Sequence, residues 1–321
     1  MKRITYLLLS TLTIVVLLQS CNGCNNNKTT NKKVKVGYLN MVSSLTHFVA
    51  LEKGYYKEQN IEVEANVVQT SDLIAQELVT GHIDVGIELS LTPALKQLDK
   101  NPNTIKIFST SNITPANGFD GIVVKNDSKI KELKDLSNKR VGGFPGTTAN
   151  VFLMTYFKQL YPNLTLPIYV PLTPNLHIQS LEANQIDALF AYEPVLTTGK
   201  VKNNFRQIST SIYGSQFNPC PIGVGALNQN WYSQNTETAK SFLVAIDKAV
   251  DFINQNPNEA KAILAKATNL DSNIAKVMNT MPLSKSTEID LVNLDKYLSL
   301  LKELQETTTL YKASEISIKQ D

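Results

Sequence analysis

Cysteine, histidine and tryptophan are rare in this chain of 321 residues, which holds three cysteines, three histidines and one tryptophan. Cys21 and Cys24 lie close to the N-terminus, so Cys220 is the one cysteine in the part that is expected to fold. A disulfide bond within that part is therefore excluded, although the N-terminus described below indicates export to an oxidising compartment.

Arginine is also scarce and occurs at Arg3, Arg140 and Arg206. Arg3 lies in a segment that is expected to be cleaved. Arg140 and Arg206 precede or enter predicted strands, at the strand end that is far from the expected ligand cleft. Guanidinium groups are the usual two-pronged partners of phosphate and dicarboxylate ligands. A clamp of that kind is therefore not expected.

The three histidines, His47, His82 and His177, lie in separate predicted helices or turns, and none has a second ligand at metal-binding spacing. We expect them to be surface or capping residues. Neither a metal site nor a cofactor is predicted.

The charge of the chain is nearly balanced. Its 31 basic and 28 acidic residues give a formal net charge of +3. Removing residues 1–20 takes away Lys2 and Arg3 and leaves 29 basic and 28 acidic residues, a net charge of +1. A nearly neutral chain without a basic stripe argues against nucleic acid as a partner.

The N-terminus has the features of an export signal. Lys2 and Arg3 are followed by an apolar run from Ile4 to Leu18 and then by small or polar residues up to Cys21. The apolar run is short for a membrane span. The stretch "LQSC" resembles a bacterial lipobox, in which the cysteine is lipidated and becomes the mature N-terminus. A plain secretory signal is the alternative.

Residues 1–20 are accordingly predicted to be a lipoprotein signal peptide, with lipidation at Cys21. Residues 21–33, rich in asparagine and lysine, are predicted to be a disordered tether before a folded part that starts near Val34. We expect an exported protein that is anchored to the cell membrane by lipid and faces the periplasm or the cell exterior.

Two similar stretches lie 103 residues apart. Residues 70–84, "TSDLIAQELVTGHID", align without a gap with residues 173–187, "TPNLHIQSLEANQID". This offset is too long for a solenoid repeat and indicates two similar lobes, each with a helix that leads into a buried strand. Gly81 and Asn184 tolerate the left-handed backbone of a helix end. Asp84 and Asp187, at the strand entrances, are interpreted as turn or capping residues.

Strand and helix patterns alternate along the chain and predict an α/β fold with mostly parallel sheets and flanking helices. Strands are predicted at residues 33–39, 61–68, 83–87, 104–110, 119–126, 139–144, 167–172, 186–192 and 218–229. From Trp231 onward the pattern is mainly helical.

The first lobe is predicted to comprise residues 34–118 and 225–321, and the second lobe residues 119–224. The chain would then cross between the lobes twice, near Gly118–Val124 and Pro221–Ala226. Two such connections form a hinge. A ligand is expected between the lobes, at the carboxyl ends of the strands.

The phrases "VKVGYLN", "ALEKGYYKEQNIEVEANVV", "ELVTGHIDVGI", "DLSNKRVGGFPGTTAN" and "QIDALFAYEPV" occur in that order. Together they resemble the periplasmic solute-binding proteins of ABC importers, in the group for nitrate, sulfonates, taurine and thiamine-pyrimidine precursors. The resemblance covers Val34 to Trp231 and implies a two-lobed type II binding fold. It also implies a monomer that delivers a small-molecule ligand to ABC permease subunits and needs no catalytic residue.

The candidate ligand-binding residues follow strand ends in both lobes. The turn "GGFPGTT" leads into a helix whose free N–H groups could hold an anion or another acceptor, and the resemblance favours ligand contact there over plain capping. Tyr192 could stack on a ligand and Glu193 could accept from an amino group or a cation, or Glu193 could simply cap a helix. The full set is Asn40, Ser43, Ser44, Ser90, Gly146, Thr147, Thr148, Tyr192 and Glu193.

A ligand held by backbone amides, hydroxyls, an aromatic face and one carboxylate fits these residues. A sulfonate-type anion and an amino-pyrimidine precursor both stay open at this point. The alternative class is an enzyme of the same fold, of the menaquinone-pathway or thiamine-pyrimidine type. No nucleophile–base pair or carboxylate dyad stands out in the sequence, which favours a binding protein.

Overall fold

The computed structural model describes residues 32–319. The predicted signal peptide, the lipidation site Cys21 and most of the predicted tether lie outside the described residues. Among the described residues, no helix combines the length and the apolar character that a membrane span requires.

Ten strands in the described part form two sheets of five strands each. In chain order they are β1 (Lys32–Tyr38), β2 (Ile61–Val67), β3 (Val85–Ser90), β4 (Ile105–Ile113), β5 (Asp120–Lys125), β6 (Arg140–Gly143), β7 (Ile168–Pro171), β8 (Ala188–Tyr192), β9 (Phe205–Thr210) and β10 (Cys220–Asn228).

The α-helices of the described part connect and flank these strands. In chain order they are α1 (Leu45–Glu52), α2 (Tyr55–Glu58), α3 (Ser71–Thr80), α4 (Leu91–Lys100), α5 (Thr147–Leu160), α6 (His177–Glu182), α7 (Val195–Lys202), α8 (Ile212–Gln216), α9 (Gln229–Gln234), α10 (Thr236–Gln255), α11 (Pro257–Thr268), α12 (Ser272–Val277), α13 (Leu291–Glu303) and α14 (Ala313–Ile316). Short 3-10 turns occur at Val42–Ser44, Leu133–Leu136 and Pro174–Leu176.

The two sheets have the same plan. The first has the order β2-β1-β3-β10-β4 and the second β7-β6-β8-β5-β9. In each sheet one strand, β10 or β5, runs antiparallel to both neighbours, and the other strands share one direction. The predicted α/β fold is therefore confirmed, and each sheet is mixed, with two parallel and two antiparallel pairings. The two antiparallel strands correspond to the strands predicted at residues 119–126 and 218–229.

The chain passes from the first sheet to the second between Ile113 and Asp120 and returns between Thr210 and Cys220. We call each sheet with its packed helices a lobe. All of β10 pairs within the first sheet, beginning with Cys220 opposite Ile113. The chain therefore returns to the first lobe before Cys220, earlier in the sequence than the expected crossing at Pro221–Ala226. The lobe boundaries at residues 118 and 225 stay a prediction.

The C-terminal helices join the two lobes. Phe242 in α10 stacks on Tyr56 in the first lobe, with ring centroids 5.3 Å apart. Tyr297 in α13 contacts Phe152 and Phe217 on the side of the second lobe, at centroid distances of 6.2 and 5.1 Å. The helical tail therefore packs on the first lobe and reaches the second near the connections.

The internal repeat is visible in the backbone. Gly81 and Asn184 follow α3 and α6 with φ angles of 72° and 56°. Their N–H groups donate to the carbonyl oxygens of Leu78 and Leu181, at 3.2 Å in both lobes. The predicted left-handed helix ends are thus confirmed.

The two repeat aspartates tie neighbouring strands together. Asp84 Oδ2 accepts a hydrogen bond from the backbone N–H of Lys35 in β1, and Asp187 Oδ2 accepts one from that of Arg140 in β6, both at 2.8 Å. Each carboxylate thus fixes the entrance of its strand against the neighbouring strand of the sheet. Both aspartates thus have a structural role, as expected, but they connect neighbouring strands and do not cap a helix.

Candidate functional site

A cavity of about 860 Å³ lies between the two lobes. Its lining includes the turns after β1, β2, β3, β6, β7 and β8, the starts of α3 and β10, and the end of α11. Eight of the nine predicted ligand-binding residues line it: Asn40, Ser43, Ser90, Gly146, Thr147, Thr148, Tyr192 and Glu193.

Neighbouring serines in the first lobe differ in position. Ser43 lines the cavity, and its buried Oγ has no hydrogen-bond partner within the described part of the chain. Ser44 is buried outside the lining. Because successive residues of a 3-10 turn point about 120° apart, the turn that presents Ser43 to the cavity directs Ser44 into the core. Of the two predicted serines, Ser43 thus lines the cavity and Ser44 does not.

The third serine of the first lobe, Ser90, is held by α3. Its backbone N–H donates to Ser71 Oγ at 3.1 Å, and both residues line the cavity. The contact fixes the end of β3 against the start of α3. Ser90 therefore has a local structural role besides its place in the lining.

In the second lobe, the N-terminus of α5 borders the cavity. Gly146 precedes the helix with a φ of 108°, a value that side-chain-bearing residues rarely adopt, and no side chain caps the helix. The first turn therefore points uncapped N–H groups toward the lining, as predicted. A carboxylate lies on the other side: a Cβ atom at Gly146 would come 3.9 Å from Asp72 Oδ2.

The hydroxyl of Thr147 is occupied by protein groups. It receives a hydrogen bond of 2.5 Å from Lys96 Nζ and donates one of 3.1 Å to Glu306 Oε2. Lys96 and Glu306 also form an ion pair at 3.1 Å. Lys96 is thus neutralised by Glu306, and the N-terminus of α5 is tied to the first lobe beside the cavity.

Tyr192 belongs to an aromatic stack in the cavity wall. Phe144 stacks on it at a centroid distance of 4.5 Å and Phe119 at 5.8 Å. Its hydroxyl shares a hydrogen bond of 2.6 Å with that of Tyr213. All four rings line the cavity, and the sequence analysis missed Phe119 and Phe144.

Glu193 caps a helix. Its carboxylate accepts from the backbone N–H of Thr197 at 3.0 Å and from the Thr197 hydroxyl at 2.8 Å, and the N–H of Asn279 lies 3.5 Å away. Burial raises the pKa of this carboxyl. The capping interpretation is confirmed, and it leaves Glu193 little free acceptor capacity for a ligand.

Sequence reasoning also missed Glu88. Near the end of β3, this residue is buried, lines the cavity and has a φ of 46°. Its carboxylate accepts hydrogen bonds from the hydroxyls of Ser109, at 3.1 Å, and Ser111. Burial raises its pKa to about 7. A glutamate inside the otherwise apolar run "VGIELS" was the available signal.

The charged side chains of the described lining are Asp72, Glu88 and Glu193. All three are carboxylates, and no lysine, arginine or histidine belongs to that part of the lining. Nowhere in residues 32–319 do three or more histidine, cysteine or carboxylate side chains cluster as metal ligands would. The charged groups of this lining are therefore hydrogen-bond acceptors, and they lie beside hydroxyl, amide and backbone N–H donors and aromatic faces.

A family model described as "NMT1/THI5 like" matches residues 42–260, which span both lobes. The chain belongs to this family. The match confirms the resemblance to periplasmic solute-binding proteins that the sequence phrases carry.

The structure is similar to solved members of that class. The alkanesulfonate-binding protein SsuA from Xanthomonas axonopodis pv. citri, bound to MOPS, has a TM-score of 0.72 at 12% identity, over 89% of this chain and 98% of its own. The periplasmic nitrate-binding protein NrtA from Synechocystis PCC 6803 has a TM-score of 0.59 at 19% identity, over 76% and 68%. The two-lobed binding-protein fold predicted from the sequence is confirmed.

In sequence, a Brucella abortus protein whose name calls it a binding protein and gives no ligand is 24% identical over 246 residues. The aligned part is 75% of this chain and 73% of that protein. Family, fold and relatives together support a solute-binding protein of the ABC-importer type.

Proposed function

We propose that this protein is the lipid-anchored substrate-binding component of an ABC importer. It holds a small molecule between its lobes and delivers it to permease subunits, as a monomer and without chemical change. The observation that carries the proposal is the cavity of about 860 Å³ lined by both lobes. Small-molecule sites occupy roughly 300–1,000 Å³ and favour such interfaces.

Of the two ligand classes left open by the sequence, the amino-pyrimidine type fits the lining better than a sulfonate-type anion. The uncapped N-terminus of α5 would suit an anion, but the Asp72 carboxylate lies opposite Gly146 at that point. Glu88 adds a second carboxylate. Phe119 and Phe144 offer flat apolar faces. We infer a small heteroaromatic ligand that donates hydrogen bonds.

The anchor is proposed from residues 18–21, "LQSC", outside the described part of the structure. Metabolic labelling with palmitate tests it. Labelling is expected in the wild type and in Cys24→Ala, and is expected to disappear in Cys21→Ala. Labelling that persists in Cys21→Ala excludes lipidation at this cysteine.

Ligand capture is tested by thermal unfolding of the mature protein with amino-pyrimidines, sulfonates, nitrate and bicarbonate. A ligand that binds only the folded state raises its stability, by about 2.7 kcal/mol at a hundred times Kd. We expect amino-pyrimidines to raise the unfolding temperature, and Thr148→Val and Tyr192→Ala to reduce that rise. Native mass spectrometry of protein from its own cells is expected to show a co-purified small molecule.

The enzyme alternative predicts a different result in the same samples. If a compound of the panel is converted into a product while none stabilises the protein at saturating concentration, the binding proposal is wrong. Chromatography of the incubated compounds distinguishes the two outcomes.

A further inference from the structure

The side chain of Glu88 crosses the neighbouring strand and places its carboxylate in the wall of the cavity. The residue lies on β3, while the two hydroxyls that it accepts from, those of Ser109 and Ser111, lie on β4. Between β3 and β4 runs β10. Ser109 and Ser111 are two residues apart and therefore face the same side of the sheet, so the glutamate side chain reaches across β10 on that side.

Gly223 makes this crossing possible. It pairs with Ser90 on β3 and with Ser111 on β4. A Cβ atom at Gly223 would come 3.3 Å from Glu88 Oε2, which is tighter than ordinary van der Waals contact. Gly223 and Glu88 both line the cavity. The carboxylate therefore lies over a strand that has no side chain at that position.

The two serine hydrogen bonds leave acceptor capacity on Glu88. An ionised carboxylate offers about four lone-pair positions, and the serines occupy one on each oxygen. The carboxylate of Glu193 caps a helix by accepting hydrogen bonds from the N–H and hydroxyl groups of Thr197. Glu88 caps no helix.

We propose that Glu88 is the specificity-determining residue of the cavity and accepts a hydrogen bond from an amino, amidine or ring N–H group of the ligand. This inference rests on the proposed function and assigns its selectivity to one side chain. Ser109 and Ser111 orient the carboxylate, and Gly223 leaves the space through which it reaches the ligand. An analogue without the donor group leaves the buried acceptor unpaired and binds more weakly.

Titration calorimetry with three probes tests the inference: 4-amino-2-methylpyrimidine, 2-methylpyrimidine as the analogue without the donor, and methanesulfonate as the anion. The wild type is expected to prefer the amino probe. Glu88→Gln is expected to weaken its binding by roughly 10- to 100-fold, the value of a hydrogen bond to a charged group, and to leave 2-methylpyrimidine almost unchanged. Glu237→Gln, an exposed glutamate on α10, is the matched control.

A second variant covers the case in which Glu88→Gln does not fold. Gly223→Ala keeps the carboxylate and crowds Oε2. It is expected to lower affinity for 4-amino-2-methylpyrimidine more than for 2-methylpyrimidine. Circular dichroism establishes that each variant is folded.

The outcomes separate this inference from the proposed function. Equal affinity of wild type and Glu88→Gln for the amino probe overturns the role of Glu88 and leaves capture in the cavity intact. Wild-type binding of methanesulfonate but of neither pyrimidine overturns both Glu88 and the ligand class, while a binding protein remains. If none of the three probes binds the wild type, the inference fails, and the proposed function is then decided by the broader thermal panel.

Discussion

The Thr147 hydroxyl at the start of α5 donates a hydrogen bond of 3.1 Å to the carboxylate of Glu306, in the segment that follows α13. Lys96 on α4 bonds to both partners. Because α5 belongs to the second lobe and α4 to the first, these three side chains connect the lobes beside the cavity. The two lobes are thus held together beside the cavity by a polar contact that does not involve a ligand.

Thr147→Val tests this connection, since it removes the bridging hydroxyl and keeps the size of the side chain. We expect the ligand-free protein to lose roughly 1 kcal/mol of unfolding free energy, measured by urea denaturation. We also expect a larger radius of gyration by small-angle scattering, because the lobes open more readily. Thr148→Val, which takes no part in the contact, is the control. Identical values for the two variants would contradict the connection.

The segment after Glu306 is attached to α4 through Asp99. Its carboxylate accepts from the Thr307 hydroxyl, the backbone N–H groups of Thr308 and Thr309, and the Tyr311 hydroxyl, at 2.6–3.1 Å. Burial acts to raise the pKa of Asp99, and these hydrogen bonds outweigh it, so that the pKa is lowered. The cluster positions the segment that carries the bridge to α5.

Asp99→Asn is therefore expected to cost about 1–3 kcal/mol at neutral pH. A carboxyl with a lowered folded-state pKa stabilises the protein above its unfolded pKa, about 3.9, and loses this contribution as the pH falls through the folded pKa. The difference between wild type and variant should thus shrink in acid. Urea denaturation at neutral pH and near pH 3 measures it, and a difference that stays constant would show that the ionised form is not what matters.

For Glu88 we expect the opposite dependence of stability on pH. Burial raises its pKa to about 7 from an ordinary 4.5, so the folded state binds more protons than the unfolded state between these values. The free energy of unfolding must then fall as the pH rises through this window. Glu88→Gln removes the effect and should gain on the order of 2 kcal/mol relative to wild type between pH 5 and pH 8. Parallel pH profiles for the two proteins would disprove the burial argument.

Gly37 and Gly142 allow a test of the repeat, because a repeat isoleucine packs directly against each. A Cβ atom at Gly37 would lie 2.5 Å from Ile83 Cδ1, and one at Gly142 would lie 2.5 Å from Ile186 Cδ1. Either glycine-to-alanine change is expected to cost roughly 1–3 kcal/mol through overpacking, measured by thermal or urea unfolding.

Removing the clashing methyl group should rescue the stability of one variant more fully than that of the other. Gly37→Ala with Ile83→Val should recover most of the loss, since the next atoms at Gly37 are 3.5 Å away. Gly142→Ala with Ile186→Val should recover less, because Leu172 Cδ1 would still lie 2.9 Å from the new atom. Equal rescue in the two lobes would refute this packing difference.

The repeat unit was predictable because its determinants are local. Gly81 and Asn184 end helices in a backbone conformation that few residues tolerate, and Asp84 and Asp187 each follow three residues later. The site was less predictable. Ser43 and Ser44 are adjacent and chemically identical, yet the cavity includes one and not the other, since only the packed direction of their turn distinguishes them.

The sequence alone determined the order of strands and helices, the matched helix-to-strand units and the turns that lead to the cavity, because periodicity and turn chemistry act within a few residues. The tertiary structure alone decided which charged side chains line the cavity. Glu88 meets Ser109 and Ser111 because β10, returning from the second lobe, inserts between β3 and β4 with a glycine at the crossing. Asp72 meets the start of α5 because two lobes close on each other. Contacts of that kind join residues that are distant in the chain, so local sequence patterns do not predict them.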